Sequence, residues 1–94
     1  MPLFVMYGLD GPNGLEIRKT TRQTHLDWIN TQTPRVKAAG PMYAEDGQTP
    51  VGSMFILEAD SLADANAMCA QDPYTAAGLW ARLEIRQFNW IVRQ

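Results

Sequence analysis

Two short segments of the chain are continuously apolar, with no alternation of apolar and polar positions. They are Leu3–Tyr7 and Met54–Leu57. A short apolar run of this kind is typical of a β-strand that is buried on both faces. Turn-forming residues, GLDGPNG, follow the first run. We therefore predict two strands in the middle of a sheet, the second over Ser53–Glu58.

From Leu15 to about Gln32 the pattern becomes helical. A threonine at 20 or 21 could cap a fresh start, so we expect one or two turns and then a main helix over about 21–32. Thr33-Pro34 ends it, because the residue before proline avoids helical angles. At about 100° per residue, one stripe of this helix carries Leu15, Arg22, Leu26 and Ile29.

Val36–Tyr43 is predicted as the second strand, and Gly40-Pro41 interrupts it. Proline has no N–H for a sheet ladder, so this strand is expected to bend or to lie at an edge. The polar segment 45–50 then makes the hairpin connection to the third strand.

The second half of the chain predicts two helices and a last strand. Ser61 has the spacing of a helix N-cap, and a helix over Leu62–Gln71 should follow, with Leu62, Ala65 and Met68 or Cys69 on one face. Asp72-Pro73 is typical of a second helix start, with the helix ending at Gly78. The last strand is predicted over Leu83–Val92. Its apolar parity shifts between Ile85 and Phe88, which predicts either a bulge or a strand that serves two surfaces.

The order strand, helix, strand, strand, helix, strand predicts an α+β, ferredoxin-like βαββαβ fold. Its antiparallel sheet has the order 4-1-3-2, with both helices on one face. On the other face, Phe4 and Met6, or else their neighbours Leu3, Val5 and Tyr7, would be left in a large apolar patch. We therefore expect a homodimer that packs sheet against sheet.

The length and the net charge of the chain limit the number of domains and the kinds of partner that it can bind. The 94 residues allow one domain, 1–94, and the net charge of −2 without a basic stripe disfavours binding to nucleic acid or to an anionic membrane. A single cysteine, Cys69, excludes an intrachain disulfide. The chain has neither a basic, apolar leader nor an apolar segment of membrane-spanning length, so a cytoplasmic protein is expected.

His25 is the only histidine and can transfer protons near neutral pH. Asp27 lies two positions along the helix, on the opposite side, so it cannot orient the imidazole. Asp72 is the best candidate for that role. The alternatives are a half-exposed, structural histidine and an aspartate that only caps a helix.

Arg22 interrupts the apolar stripe, so its guanidinium either snorkels or binds an anionic ligand or a carboxylate. The hydroxyls of Ser53 and Tyr74 could contact a ligand, although both residues could be purely structural. One histidine and one cysteine do not make a usual zinc site, and the chain has no phosphate-binding glycine loop and no nucleophile elbow. We expect neither a metal nor a cofactor.

The chain resembles the YciI-like (YCII-related) domain family along its whole length. Arg22-Gln23-Thr24-His25-Leu26 is similar to the Arg-Pro-x-His-Leu segment of that family, with Gln23 at the position of its common proline. Four later segments also match, in order: Ala39-Gly40-Pro41-Met42, Gly52-Ser53, Asp72-Pro73-Tyr74 and Ala77-Gly78.

The resemblance implies a dimeric α/β barrel of ferredoxin-like subunits with a histidine–aspartate pair in a cleft, here His25 and Asp72. Arg22 and Ser53 would match polar positions near that cleft. A related member eliminates HCl from a chlorinated hydroxyquinol. The expected function is thus cofactor-independent acid/base chemistry, such as elimination or isomerisation, on a small cyclic or aromatic molecule. The alternative is a non-catalytic dimeric module that binds a small ligand or a protein through the same cleft.

Overall fold

A computed structural model describes residues 1–94 and contains four strands and three helices. One antiparallel sheet holds all four strands in the order second, third, first, fourth, which is the predicted order read from the other edge. The predicted α+β, ferredoxin-like topology is therefore confirmed. In chain order the elements are β1 (Leu3–Asp10), α1 (Gly14–Thr31), β2 (Val36–Tyr43), β3 (Pro50–Glu58), α2 (Leu62–Ala70), α3 (Pro73–Ala76) and β4 (Trp80–Phe88).

The two faces of the sheet differ in their covering. Burial alternates along β1, so that Phe4 and Met6 are buried while Leu3, Val5 and Tyr7 stay partly exposed. Side chains of α1 and α2 pack on the Phe4 and Met6 side, which settles the parity that the sequence left open. The buried core cluster consists of Phe4, Met6, Phe55, Leu57, Ala59, Ala65, Met68 and Cys69.

Helix α1 is one unbroken helix from Gly14, so the predicted restart at residue 20 or 21 is wrong. Its buried residues are Gly14, Arg18 and His25, whereas Leu15 is exposed. The inward face therefore differs from the predicted stripe. The physical reason is an ion pair between Arg18 and Asp10 at the end of β1, which holds the first turns of the helix against the sheet.

The last strand begins and ends earlier than predicted. Phe88 pairs with Leu3, the first residue of β1, so beyond Phe88 the chain has no partner strand. The bulge offered as one explanation of the parity shift between Ile85 and Phe88 is also wrong, because these residues pair with β1 in regular register. The register shifts at the other end of β4, between Leu9 and Asp10 of the partner strand.

The prediction that Leu62 lies on the buried face of α2 is also wrong. Leu62 is exposed in its first turn, so the buried face of α2 starts at Ala65. The predicted caps of the two later helices are confirmed, since Ser61 Oγ accepts from the N–H of Asp64 and Asp72 accepts from the N–H of Tyr74.

Strand β2 pairs only with β3 and is an edge strand, as its proline indicated. None of the helices combines the length and the apolar character needed to cross a lipid bilayer.

Candidate active site

A cleft of about 340 Å³ lies between helices α1 and α3 and the edge of the sheet formed by β2 and β3. Helix α1 supplies basic side chains on one wall, and β2 supplies small residues on the other. At Gly40 an added Cβ would meet no atom within 4 Å, which indicates that the β2 wall is open. The side chains that line the cleft include Arg18, Arg22, His25, Ser53, Phe55 and Tyr74.

His25 and Asp72 form a hydrogen-bonded pair behind this cleft. The Nδ1 atom of His25 lies 2.8 Å from Oδ1 of Asp72, although the residues are 47 positions apart in sequence. His25 is 8% exposed and lines the cleft, whereas Asp72 is fully buried and does not reach it. The pair therefore presents only the imidazole to a ligand.

The carboxylate of Asp72 is held by the start of α3. Its Oδ1 also accepts the backbone N–H of Tyr74 at 3.0 Å, in the N-cap geometry that an Asp-Pro sequence favours. Its Oδ2 is buried and has no hydrogen-bond partner.

The thiol of Cys69 lies near this carboxylate. Burial and, to a lesser degree, the charge of Asp72 raise the pKa of the thiol to about 12, so it is not a nucleophile at neutral pH.

Aromatic rings fix the plane of the imidazole. Tyr74 stacks on His25 with ring centroids 4.1 Å apart and an interplanar angle of 16°. Phe55 and Trp28 lie near the same ring, at 6.1 and 6.3 Å. The Nε2 atom of His25 has no hydrogen-bond partner in the chain and is not among the fully buried atoms. The imidazole is thus held rigidly, with one nitrogen free.

Arg18 is a residue of this site that the sequence analysis missed. Its guanidinium donates two hydrogen bonds to Asp10, at 2.7 and 2.9 Å, and a third to Ser53 Oγ at 3.1 Å. It also lies over the Tyr74 ring, 5.3 Å from the centroid. A bidentate arginine–carboxylate pair with a further hydrogen bond is a rigid arrangement. Arg18 therefore connects β1, β3 and α3 at the floor of the cleft.

A usable sequence signal for Arg18 existed. Arg18, Arg22 and His25 are spaced by four and three residues, so they share one face of α1. Its partner Asp10 gave no comparable signal, since it stands among turn-forming residues. Its role depends on the strand continuing as far as Asp10.

The other predicted ligand contacts also lie at the cleft. Arg22 is exposed on its wall, Ser53 is buried at its floor, and Tyr74 is buried beside His25. Burial raises the pKa of the Tyr74 phenol, partly opposed by the positive charges of Arg18 and Arg22. Asp27, by contrast, is exposed and accepts a hydrogen bond from Gln23. No group of three histidine, cysteine or acidic side chains is close enough to hold a metal ion.

Comparison with known protein families gives a match over nearly the whole chain. The model of the YCII-related domain matches residues 2–89. The chain belongs to the YCII-related domain family. A relative in Escherichia coli O6:H1, Protein YciI, is 36% identical over 94 residues, covering 93% of this chain and 96% of its own. An uncharacterized protein of Haemophilus influenzae is 34% identical, covering 92% and 95%.

Solved structures place this YCII-related domain among ferredoxin-like proteins. A 5-chloro-2-hydroxyhydroquinone dehydrochlorinase from Burkholderia phenoliruptrix, in complex with 2,5-dihydroxybenzoquinone, superposes with a TM-score of 0.82 at 27% identity, over 93% of each chain. SnoaB, a cofactor-independent oxygenase from Streptomyces nogalater, gives a TM-score of 0.55 at 15% identity, over 98% of this chain and 92% of its own. The second likeness concerns the fold alone.

Proposed function

We propose that this YCII-related protein is a cofactor-independent enzyme that eliminates from, or isomerises, a small cyclic or aromatic molecule by acid/base chemistry. The observation that carries the proposal is the 2.8 Å contact between His25 Nδ1 and the fully buried Asp72, beside a cleft of about 340 Å³. In this proposal His25 is the general base or acid, and Asp72 orients it. Arg22, Ser53 and Tyr74 bind the substrate.

The hydrogen bond determines which nitrogen acts. A carboxylate only accepts hydrogen bonds, so Asp72 fixes the neutral ring's proton on Nδ1 and leaves the lone pair on Nε2. When Nε2 takes a proton from the substrate, the buried carboxylate stabilises the imidazolium that forms. Stacking on Tyr74 keeps Nε2 in one direction during this transfer.

Elimination and isomerisation need only such a proton transfer. In an elimination from a hydroxylated, halogenated ring, the ring first takes its keto form: one hydroxyl proton moves to the carbon that bears the halogen. Nε2 then accepts the proton of a second, conjugated hydroxyl group. The electron pair of that O–H bond becomes a carbonyl π bond, the conjugated C=C pair shifts to form a new double bond at the halogenated carbon, and the carbon–halogen pair leaves with the halide. The substrate thus loses one molecule of hydrogen halide, without net oxidation or reduction of the protein. The free Nε2 has no serine or cysteine hydrogen-bonded to it, which favours direct proton transfer over activation of a protein nucleophile.

The similar dehydrochlorinase supports this reaction class. That protein is named for the removal of HCl from 5-chloro-2-hydroxyhydroquinone, and its subunit superposes over 93% of this chain. The ring of such a molecule would lie between the small residues of β2 and the aromatic residues around His25.

The test is chloride release from 5-chloro-2-hydroxyhydroquinone and from a panel of related halogenated and hydroxylated rings. Because a placed acid/base group typically contributes about 10²–10⁴-fold, His25→Ala should lower turnover by that factor. Asp27→Asn is the matched control, since it alters the solvent side of the same helix and should keep full activity.

Turnover by His25→Ala equal to that of the native protein would refute the proposed role of the imidazole. Ligand binding without turnover of any member of the panel would instead favour a non-catalytic module that uses the same cleft.

A homodimer through the uncovered sheet face is part of this proposal. Partly exposed apolar side chains of β1 and β3, namely Leu3, Val5 and Met54, share that face according to the strand register. They lie on the side of the sheet opposite the core cluster. A second copy would bury the apolar surface that these side chains still expose, which stabilises association.

A further inference from the structure

Arg22 carries the unpaired positive charge of the cleft. Arg18, one turn earlier on the same helix face, is neutralised by Asp10 and is only 9% exposed. Arg22 forms no ion pair and no hydrogen bond within the chain, and it lines the same cleft. From the sequence, Arg22 could snorkel, bind a carboxylate of the protein or bind an anionic ligand. In the structure no carboxylate of the chain pairs with it, and Asp10 is taken by Arg18. Its exposed guanidinium on the lining of the cleft is therefore available to an external anion.

The hydroxyl of Ser53 is held as a hydrogen-bond donor to the cleft. Its Oγ accepts a hydrogen bond from Arg18 at 3.1 Å. The hydroxyl proton must therefore point away from the Arg18 guanidinium. Ser53 is 4% exposed, and its hydroxyl proton has no acceptor within the chain. Because a buried donor without an acceptor is destabilising, an acceptor atom of a ligand fits this position.

The phenol of Tyr74 adds a second hydroxyl near these groups. Its O–H makes no hydrogen bond to an acceptor in the chain, and the Arg18 guanidinium lies over its ring. Burial raises the pKa of Tyr74, so the phenol stays protonated and able to donate at neutral pH. One unpaired cation, Arg22, and two hydroxyl donors thus line the cavity that also contains His25.

We propose that the cleft binds a monocyclic organic oxyanion, such as an ionised carboxylate, enol or phenol, with its charged oxygen between Arg22 and the Ser53 hydroxyl. Arg18 and Asp10 are positioning residues that direct this hydroxyl. The proposal rests on the proposed function, because it takes the ligand of this cleft to be the substrate on which His25 acts. A volume of about 340 Å³ is near the lower limit for ligand sites, which suits a single ring.

The experiment compares two probes that differ in charge but share a ring and a hydroxyl group. Calorimetric titration with 4-hydroxybenzoate and 4-hydroxybenzamide at neutral pH gives the two Kd values. A charge-assisted hydrogen bond from Arg22 should make the benzoate bind about 10–100-fold more tightly. Arg22→Gln should remove this preference. Lys19→Gln, which deletes the same charge from an exposed position outside the cleft, should keep it.

Variants of Ser53 and Arg18 test the positioning role. Ser53→Ala should weaken binding of the benzoate about three- to tenfold, since it deletes one neutral donor. In an Arg18→Lys background the same substitution should have almost no further effect, because lysine keeps the charge beside Asp10 but does not fix the hydroxyl. Additive effects of the two substitutions on the Kd would refute the positioning role of Arg18. A purely structural contribution of Arg18 would give such additive effects.

Equal Kd values for the two probes, no binding of either, or a preference that survives Arg22→Gln would overturn the oxyanion site. These outcomes are distinct from failure of the acid/base proposal. An anion preference that depends on Arg22, together with unchanged chloride release by His25→Ala, would refute only the role of the imidazole. Loss of chloride release by His25→Ala without an anion preference would refute only the oxyanion site.

Discussion

At the scale of single residues, one oxygen of Asp72 accepts two hydrogen bonds. Oδ1 receives the N–H of Tyr74 and faces Nδ1 of His25 at 2.8 Å. The first contact caps α3, and the second orients the imidazole. A helix cap is well suited to hold an orienting carboxylate, because the backbone fixes the side chain that the imidazole needs.

Substitution of Asp72 should separate these two roles. Asparagine can keep the cap, since its amide oxygen still accepts the N–H of Tyr74. It removes the negative charge that stabilises the imidazolium, so we expect Asp72→Asn to lower turnover on the order of 10²–10⁴-fold. Asp72→Ala should lose turnover as well and should also lower the free energy of unfolding by about 1 kcal/mol through loss of the cap. Chloride release and urea denaturation measure the two effects.

Full activity of Asp72→Asn would show that the charge is unimportant. Equal stability of the asparagine and alanine variants would show that the cap contributes nothing.

The sequence predicted the residues of the pair better than their surroundings. The placement of His25 on α1 and of Asp72 before a proline follows from local patterns. The resemblance to the family pointed to the same two residues. Arg18 was not predicted as a site residue because its burial depends on the ion pair with Asp10. No local pattern indicates that β1 extends to Asp10 and places this carboxylate on the helix side of the sheet.

At the scale of elements, the central strands approach closely at a glycine. A Cβ added to Gly52 of β3 would lie 2.5 Å from the backbone oxygen of Gly8 in β1 and 2.7 Å from Cε of Met42. A backbone atom cannot move aside without shifting a strand. This contact therefore sets the spacing next to Ser53, which follows directly in β3.

Gly52→Ala should lower the free energy of unfolding by about 1–3 kcal/mol through overpacking. The matched control is Gly40→Ala in the edge strand β2, where an added Cβ meets no atom within 4 Å. Its unfolding free energy should stay within about 0.5 kcal/mol of the native value. Thermal or urea denaturation of both variants checks the difference. Equal stabilities would mean that the strands can separate freely at this point.

The hairpin between β2 and β3 depends on one carboxylate. Asp46 accepts hydrogen bonds from the N–H groups of Gln48 and Thr49 and from the Thr49 hydroxyl. These bonds, that of the Thr49 hydroxyl first, lower the pKa of Asp46 from 3.8 to about 2. The ionised carboxylate of Asp46 therefore holds the turn next to the β2 wall of the cleft.

Acid should loosen this turn in a defined window. A folded-state pKa below the unfolded value stabilises the fold above about pH 4, and this contribution disappears as the pH falls through about 2. Amide chemical shifts of Thr49 should titrate with a midpoint near pH 2. A Thr49 midpoint near pH 4 would contradict the ionised turn.

The elements themselves were largely predictable, and the errors in the last strand come from strand pairing. The bounds of β2 and the starts of α2 and α3 follow from proline, serine and aspartate signals that act within a few residues. The end of β4 does not, because it depends on where β1 begins, more than 80 positions earlier in the chain. Local patterns therefore fixed most boundaries, and partner strands fixed the others.

At the scale of the whole molecule, the proposed dimer predicts a distinct set of sensitive positions. Met54→Lys would place a charge in the middle of the uncovered sheet face and should raise the Kd of self-association by about 100-fold or more. Leu62→Lys changes a side chain that is already exposed on α2 and should leave association unchanged. Sedimentation equilibrium of both variants measures the difference. A native protein that stays monomeric at millimolar concentration would contradict the proposal.

The imidazole stacked on Tyr74 also gives the molecule a built-in spectroscopic reporter. The chain has one histidine, so only one pair of imidazole C–H signals occurs in the proton NMR spectrum, and no isotope labelling is needed once the amide protons have exchanged into D₂O. The stacked phenol ring at 4.1 Å displaces these resonances by its ring current. Any compound that enters the cleft and tilts either ring will move them, so occupancy can be followed in unmodified protein even for ligands that undergo no reaction.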